Sequence, residues 1–154
     1  MLMQCIVGLT FQEAGQCAFD FFSLGHICMG IGIFLFWSLF YTIPKSKGRT
    51  PLFSLLFVFI LTIICGIIWE IIENTLFFEL GLKFEGLSDS GINIMTDILL
   101  VAVGGLGSWL YCYLIFEKDK KIRAYYIFGL ISFAIWLIFF FILRYITKWY
   151  SGLV

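Results

Sequence analysis

The chain has 154 residues, of which 62% are hydrophobic, 20% aromatic and 13% charged. That is far from the composition of soluble domains and short enough for a single one. Ten basic and ten acidic residues cancel, so no basic field speaks for a nucleic-acid partner. The expectation is an all-α integral membrane helical bundle, with residues 1–154 forming one transmembrane domain.

Residues 1–20 are apolar at first and then carry Gln12, Glu13, Gln16 and Asp20. They lack the basic n-region and small-residue cleavage site of a signal peptide, and their apolar run is too short to span. The segment reads as a short amphipathic stretch at the membrane surface or as a re-entrant turn. Residues 21–43 contain no Asp, Glu, Lys or Arg and can cross about 30 Å of hydrocarbon; this is the first span. The basic stretch at 44–51, with Pro44 and Pro51, ends it. The second span covers about 52–80, with Gly81 as its stop. A loop with Lys83, Glu85 and Asp89 follows, in which Lys83 and Glu85 read as solvated charges. The third span covers about 92–116, the basic loop 117–123 closes it, and the fourth covers about 124–146. Arg144, Lys148, Trp149 and Tyr150 then form an interfacial anchor.

Loops 44–51 and 117–123 fall on one side and are positive, so the positive-inside rule places both termini and the 81–91 loop outside the cytoplasm of a multi-pass plasma-membrane protein. The five cysteines include no Cys-x-x-Cys pair, and three lie in apolar spans. No disulfide framework is inferred from them.

The informative stretch is Trp69-Glu70-Ile71-Ile72-Glu73-Asn74, answered by Asp89-Ser90-Gly91-Ile92-Asn93 and Asp97. Glu70, Glu73 and Asn74 share one helix face, as do Asn93 and Asp97 on a second helix. Span limits and the helical rise give each polar group a depth. His26 lies near the start of the first span, Glu70 about 27 Å along the second, and Asp97 about 7–8 Å into the third. These residues, with Glu73, Asn74 and Asn93, therefore share one layer near the outer interface. Small residues support close packing beneath it: Gly30 below His26, Gly66 on the face of Glu70, and Gly104 with Ser108 below Asp97.

Ionisable groups in a membrane helix need partners or water, so the layer should converge on itself. Three carboxylates and an imidazole suit a divalent metal, Mg²⁺, Mn²⁺ or Zn²⁺, held by Glu70, Glu73, Asp97 and His26. The same four residues suit metal-free acid/base catalysis. Asn74, Ser90, Asn93 and Asp89 are candidates for substrate contacts. A proton-coupled carrier is a further option, although carrier sites lie nearer the midplane. A purely structural interhelical clamp is another.

The two spaced blocks resemble the signature of an uncharacterised bacterial membrane-protein family. More broadly, His26 on an early helix, the Glu70 helix and the Asn93/Asp97 helix running into glycines resemble the VanZ-like superfamily, associated with resistance to a glycopeptide antibiotic. That superfamily usually has Gln after the Glu, where this chain has Asn74, and Asp then Asn, where this chain has Asn93 then Asp97. The resemblance implies a small helical membrane protein acting at the envelope and supplies no settled reaction. With the polar layer at the outer leaflet, the expected function is to bind, with hydrolysis or modification as a further option, a phosphate-bearing lipid or polyprenyl-linked precursor. With four spans enclosing little space, a homodimer is also an expectation.

Overall fold

A computed structural model of the chain describes residues 5–83 and 86–152. Four long helices account for the spans: α1 (Phe22–Ser46), α2 (Leu55–Ile72), α3 (Gly91–Tyr111) and α4 (Ile122–Tyr150). Wider π-helical turns extend α2 over Glu73–Phe77 and α3 over Cys112–Glu117. All four are long and apolar enough to cross a membrane. They run up and down, with α1 at the centre: it packs against the other three, while α4 leans chiefly on α1 and leaves most of its apolar surface outward.

The first span runs further than expected. Helix α1 continues through Pro44 to Ser46, although Pro44 has no N–H for the Phe40 carbonyl four residues back. That carbonyl instead accepts from the backbone N–H of Leu52 in the following loop, at 3.1 Å. The proline thus ties the connection down without ending the helix. Gly81, at φ +66°, does close the second span as expected, because the left-handed conformation carries no penalty for glycine. Helix α4 extends beyond its expected limits at both ends and takes the Arg144 to Tyr150 anchor into its last turns.

One turn below the sequence-derived polar layer, the bundle is at its tightest. Val101 of α3 is fully buried, and its atoms are the nearest neighbours of both Gly30 on α1 and Gly66 on α2. These three positions lie four residues from Asp97, His26 and Glu70 respectively. Gly104 sits against the Ile27 carbonyl of α1. With no side chain at these crossings, the backbones approach closely enough for short polar side chains above them to meet.

Residues 5–20 fold as a compact cap on this end of the bundle; residues 1–4 of that segment lie outside the described residues. The cap is closed by a Cys5–Cys17 disulfide and by pairing of Val7 with Phe19, and its Phe11 and Ala14 pack with Phe21, Phe22 and Phe140. The expectation of no disulfide is therefore corrected. Cys28, Cys65 and Cys112 are free and on helices, so the two cysteines outside the spans were left to pair. Closing a loop of this length is worth about 3 kcal/mol in the chain-entropy model. Reduction, or Cys5→Ser, is thus expected to speed amide exchange across residues 5–20 while the helical cores stay protected. Hydrogen-exchange mass spectrometry with and without a dithiol reads this directly, and unchanged exchange in the cap would show that the bridge does not hold it.

Candidate functional site

The site begins with a reciprocal cap on α1. The Asp20 carboxylate accepts from the backbone N–H of Phe22 at 2.8 Å and of Ser23 at 3.3 Å, and the Ser23 hydroxyl accepts from the Asp20 N–H at 3.1 Å. This is the logic of a capping box. Its other oxygen accepts from the Gly15 N–H at 2.7 Å and the Asn93 amide at 3.4 Å. Burial pushes the Asp20 carboxyl above its usual range, against the pull of its backbone donors. The cap fixes the direction in which His26 enters the bundle one turn later.

Helix α3 is started by Ser90, whose hydroxyl accepts from the Asn93 N–H at 3.2 Å and donates to the Gln16 carbonyl at 3.0 Å. Asn93 also donates to the Cys17 carbonyl at 2.9 Å. On α2, the π-helical turn begins at Glu73, three residues after Glu70, and such turns often mark functional sites. Here it presents Asn74, whose amide donates to the Glu70 carbonyl at 3.1 Å and to Glu70 Oε2 at 3.4 Å. The Asn74 carbonyl oxygen accepts from Lys83 Nζ and from the Asp89 N–H, both at 2.8 Å.

At the centre stands His26. Its Nε2 lies 3.0 Å from Glu70 Oε1 and its Nδ1 lies 3.2 Å from Asp97 Oδ1, with all three side chains buried. Nδ1 is also 3.1 Å from the Phe22 carbonyl. A carbonyl can only accept, so Nδ1 carries hydrogen and Nε2 is the nitrogen free to be either protonated or a ligand. The two carboxylate contacts are close in charge but not aligned as hydrogen bonds: Glu70 Oε1 and Asp97 Oδ1 are buried without a hydrogen-bond partner among the described residues.

Glu73 stands beside this triad. One ligand atom from each of His26, Glu70 and Glu73 falls within 4.8 Å of the others, whereas Asp97 holds the opposite ring nitrogen. His26 and Glu73 also line a cleft of about 200 Å³ whose remaining wall is Phe22, Gly25, Met29, Trp69 and Phe140. It lies along α1 where α2 and α4 flank it, and its surface is largely apolar.

The expected residues thus divide. His26, Glu70, Glu73 and Asp97 come together, while Asn74, Asp89, Asn93 and Ser90 form a surrounding frame that holds the loops. Two members of the frame were not singled out from sequence. Asp20 was noted only as an acid of the first segment. Lys83 has the sequence context of a solvated loop charge, yet it is 6% exposed and ion-paired with Asp89; a lysine nine residues after a partner asparagine leaves no periodic signal. A second polar group lies at the far end of the bundle, where Lys45 and Tyr41 both donate to Glu117, at 2.8 and 2.6 Å.

A family model described as a predicted membrane protein, DUF2238, matches residues 7–118. The chain belongs to the DUF2238 family. No curated protein and no solved structure matches it. The DUF2238 match runs from the cap to the end of the third span, so it contains every polar residue of the triad and its frame; α4, which adds Phe140 to the cleft, lies beyond it. This is an integral, multi-pass membrane protein.

Proposed function

We propose that this protein binds a phosphate-bearing lipid or polyprenyl-linked envelope precursor, with the headgroup beside His26 and Glu73 and the chain in the apolar part of the cleft. The observation that carries this reading is the cleft's two-sided chemistry. It is lined by the apolar Phe22, Gly25, Met29, Trp69 and Phe140 together with an imidazole and a carboxylate, the two kinds of surface that a lipid also presents. A phosphate can approach these acids only through a cation, and a divalent ion would supply that bridge and polarise the phosphoryl group. The resemblance to VanZ-like proteins points the same way.

Two independent features support an outward-facing site. Disulfides persist in oxidising compartments, and Cys5–Cys17 lies at the site's end of the bundle. The opposite end carries Lys45, Lys47, Arg49, Lys118, Lys120, Lys121 and Arg123 against Glu117 and Asp119, the positive-inside pattern.

The test is binding of a polyprenyl phosphate, with the matching polyprenol as control, to the protein in nanodiscs. Gly25 lines the cleft with only the Phe140 ring near its missing side chain, so Gly25→Trp fills the space. The phosphate is expected to bind better than the alcohol, and Gly25→Trp to weaken it about tenfold or more, which is 1.4 kcal/mol. Equal binding of both lipids, or an indifferent Gly25→Trp, would overturn the proposal.

A structural clamp is the second reading. It is favoured by the frame, in which Asp20, Asn74, Lys83, Asp89 and Asn93 satisfy one another. Glu73 is what it does not account for: this carboxylate has neither a hydrogen bond nor an ion pair among the described residues.

A further inference from the structure

We infer that His26 Nε2, Glu70 and Glu73 form a divalent transition-metal site, with Asp97 and the Phe22 carbonyl as positioning groups on the other face of the imidazole. This deepens the lipid-binding reading but stands on its own geometry. The sequence alone put Asp97 among four equivalent ligands; the structure separates the roles. A metal-bound histidine commonly donates its second N–H to a carbonyl or carboxylate, which sets the tautomer and the ring's direction. Nδ1 has the Phe22 carbonyl at 3.1 Å as its acceptor, and the Asp97 carboxylate lies beside it with Oδ1 at 3.2 Å. That leaves the Nε2 lone pair free, with Glu70 Oε1 beside it at 3.0 Å.

Three further observations point to an ion. Glu70 Oε1 is buried, and its near neighbour is Nε2, with no aligned hydrogen bond to it. Their separation is 3.0 Å, and two ligands at right angles, each about 2.1 Å from a metal, lie about 3.0 Å apart. Glu73, the third ligand, has no partner among the described residues and lines the cleft from which an ion and an exchangeable oxygen ligand would enter. One imidazole with two carboxylates is a borderline donor set, suited to Mn²⁺ or Zn²⁺ more than to an all-oxygen ion such as Mg²⁺. The open remainder of the coordination sphere is where a phosphate oxygen would bind.

The experiment is equilibrium dialysis of the purified full chain in detergent, stripped with chelator, against Mn²⁺ or Zn²⁺ with elemental analysis. One ion per chain is expected, with thermal stability rising on addition. Glu73→Gln removes no described hydrogen bond, so it should keep the melting temperature of the metal-free wild type and bind the ion at least about tenfold more weakly. Glu70→Gln should lose affinity in the same way. Asp97→Asn should retain one ion per chain with affinity lowered about 10–100-fold. Electron spin-echo of the Mn²⁺ form should show one imidazole nitrogen in the wild type and in Asp97→Asn. No ion in the wild type, or Glu73→Gln binding as wild type, overturns the assignment. Polyprenyl phosphate bound by a wild type that takes up no ion would sink the metal site alone, whereas one ion per chain without any preference for the phosphate over the alcohol would sink the lipid reading alone.

Discussion

His26→Ala is expected to lower stability by about 3–5 kcal/mol, the usual cost of removing one partner from a buried ionic cluster. The imidazole lies between Glu70 and Asp97, which contact its two nitrogens at 3.0 and 3.2 Å. Without it, two buried carboxylates face a cavity with no cation, and one must take up a proton or draw in water. Glu70→Gln should cost less, because Asp97 still holds the ring and Asn74 still meets Glu70's side-chain position. The double variant His26→Ala with Glu70→Gln should then be more stable than His26→Ala alone, since one orphaned charge has gone. Reversible unfolding in mixed detergent micelles measures all three. A His26→Ala protein within about 0.5 kcal/mol of wild type would mean that the cluster is hydrated and that the three side chains do not depend on one another.

The helical part of this molecule was readable because it obeys simple periodicities. Spans follow from apolar length, and depth follows from rise per residue, so His26, Glu70 and Asp97 could be placed in one layer before any contact was known. The glycines beneath them were readable for the same reason. What could not be read was anything set by how loops return in space. The Cys5–Cys17 bridge depends on the 5–20 segment doubling back so that Val7 pairs with Phe19, and no helical or strand repeat announces that. Lys83 looked like a solvated charge because its partners, Asn74 and Asp89, are brought to it by the loop's course. The division of labour on His26 was also hidden. It depends on the Phe22 carbonyl, a backbone atom that no side-chain pattern encodes, choosing which ring nitrogen carries hydrogen. The continuation of α1 through Pro44 is not legible either, because the rescue of the Phe40 carbonyl by Leu52 is a tertiary contact.

Gly30→Leu is expected to be as damaging as loss of His26, although it introduces no charge and touches no member of the cluster. A side chain begun at Gly30 would run into the backbone of Val101 at the α1–α3 crossing, and one begun at Gly104 would meet the Ile27 carbonyl. Overpacked cores usually cost about 1–3 kcal/mol, and the upper end or beyond is expected here because backbone cannot step aside as a rotamer does. The consequence reaches the site because of register: Gly30 and Val101 lie one turn below His26 and Asp97. Forcing the two helices apart therefore draws the imidazole away from its positioning carboxylate. Gly104→Ala should repeat the effect more mildly from the other helix. Gly107→Ala is the control on the same helix, since nothing lies within 4 Å of the position its methyl would take, and it should leave stability unchanged or slightly raised. Unfolding in mixed micelles, run beside Mn²⁺ binding, should show stability and ion affinity falling together in Gly30→Leu and neither falling in Gly107→Ala. Ion affinity that survives a large loss of stability in Gly30→Leu would show that the polar layer assembles without the glycine crossing beneath it.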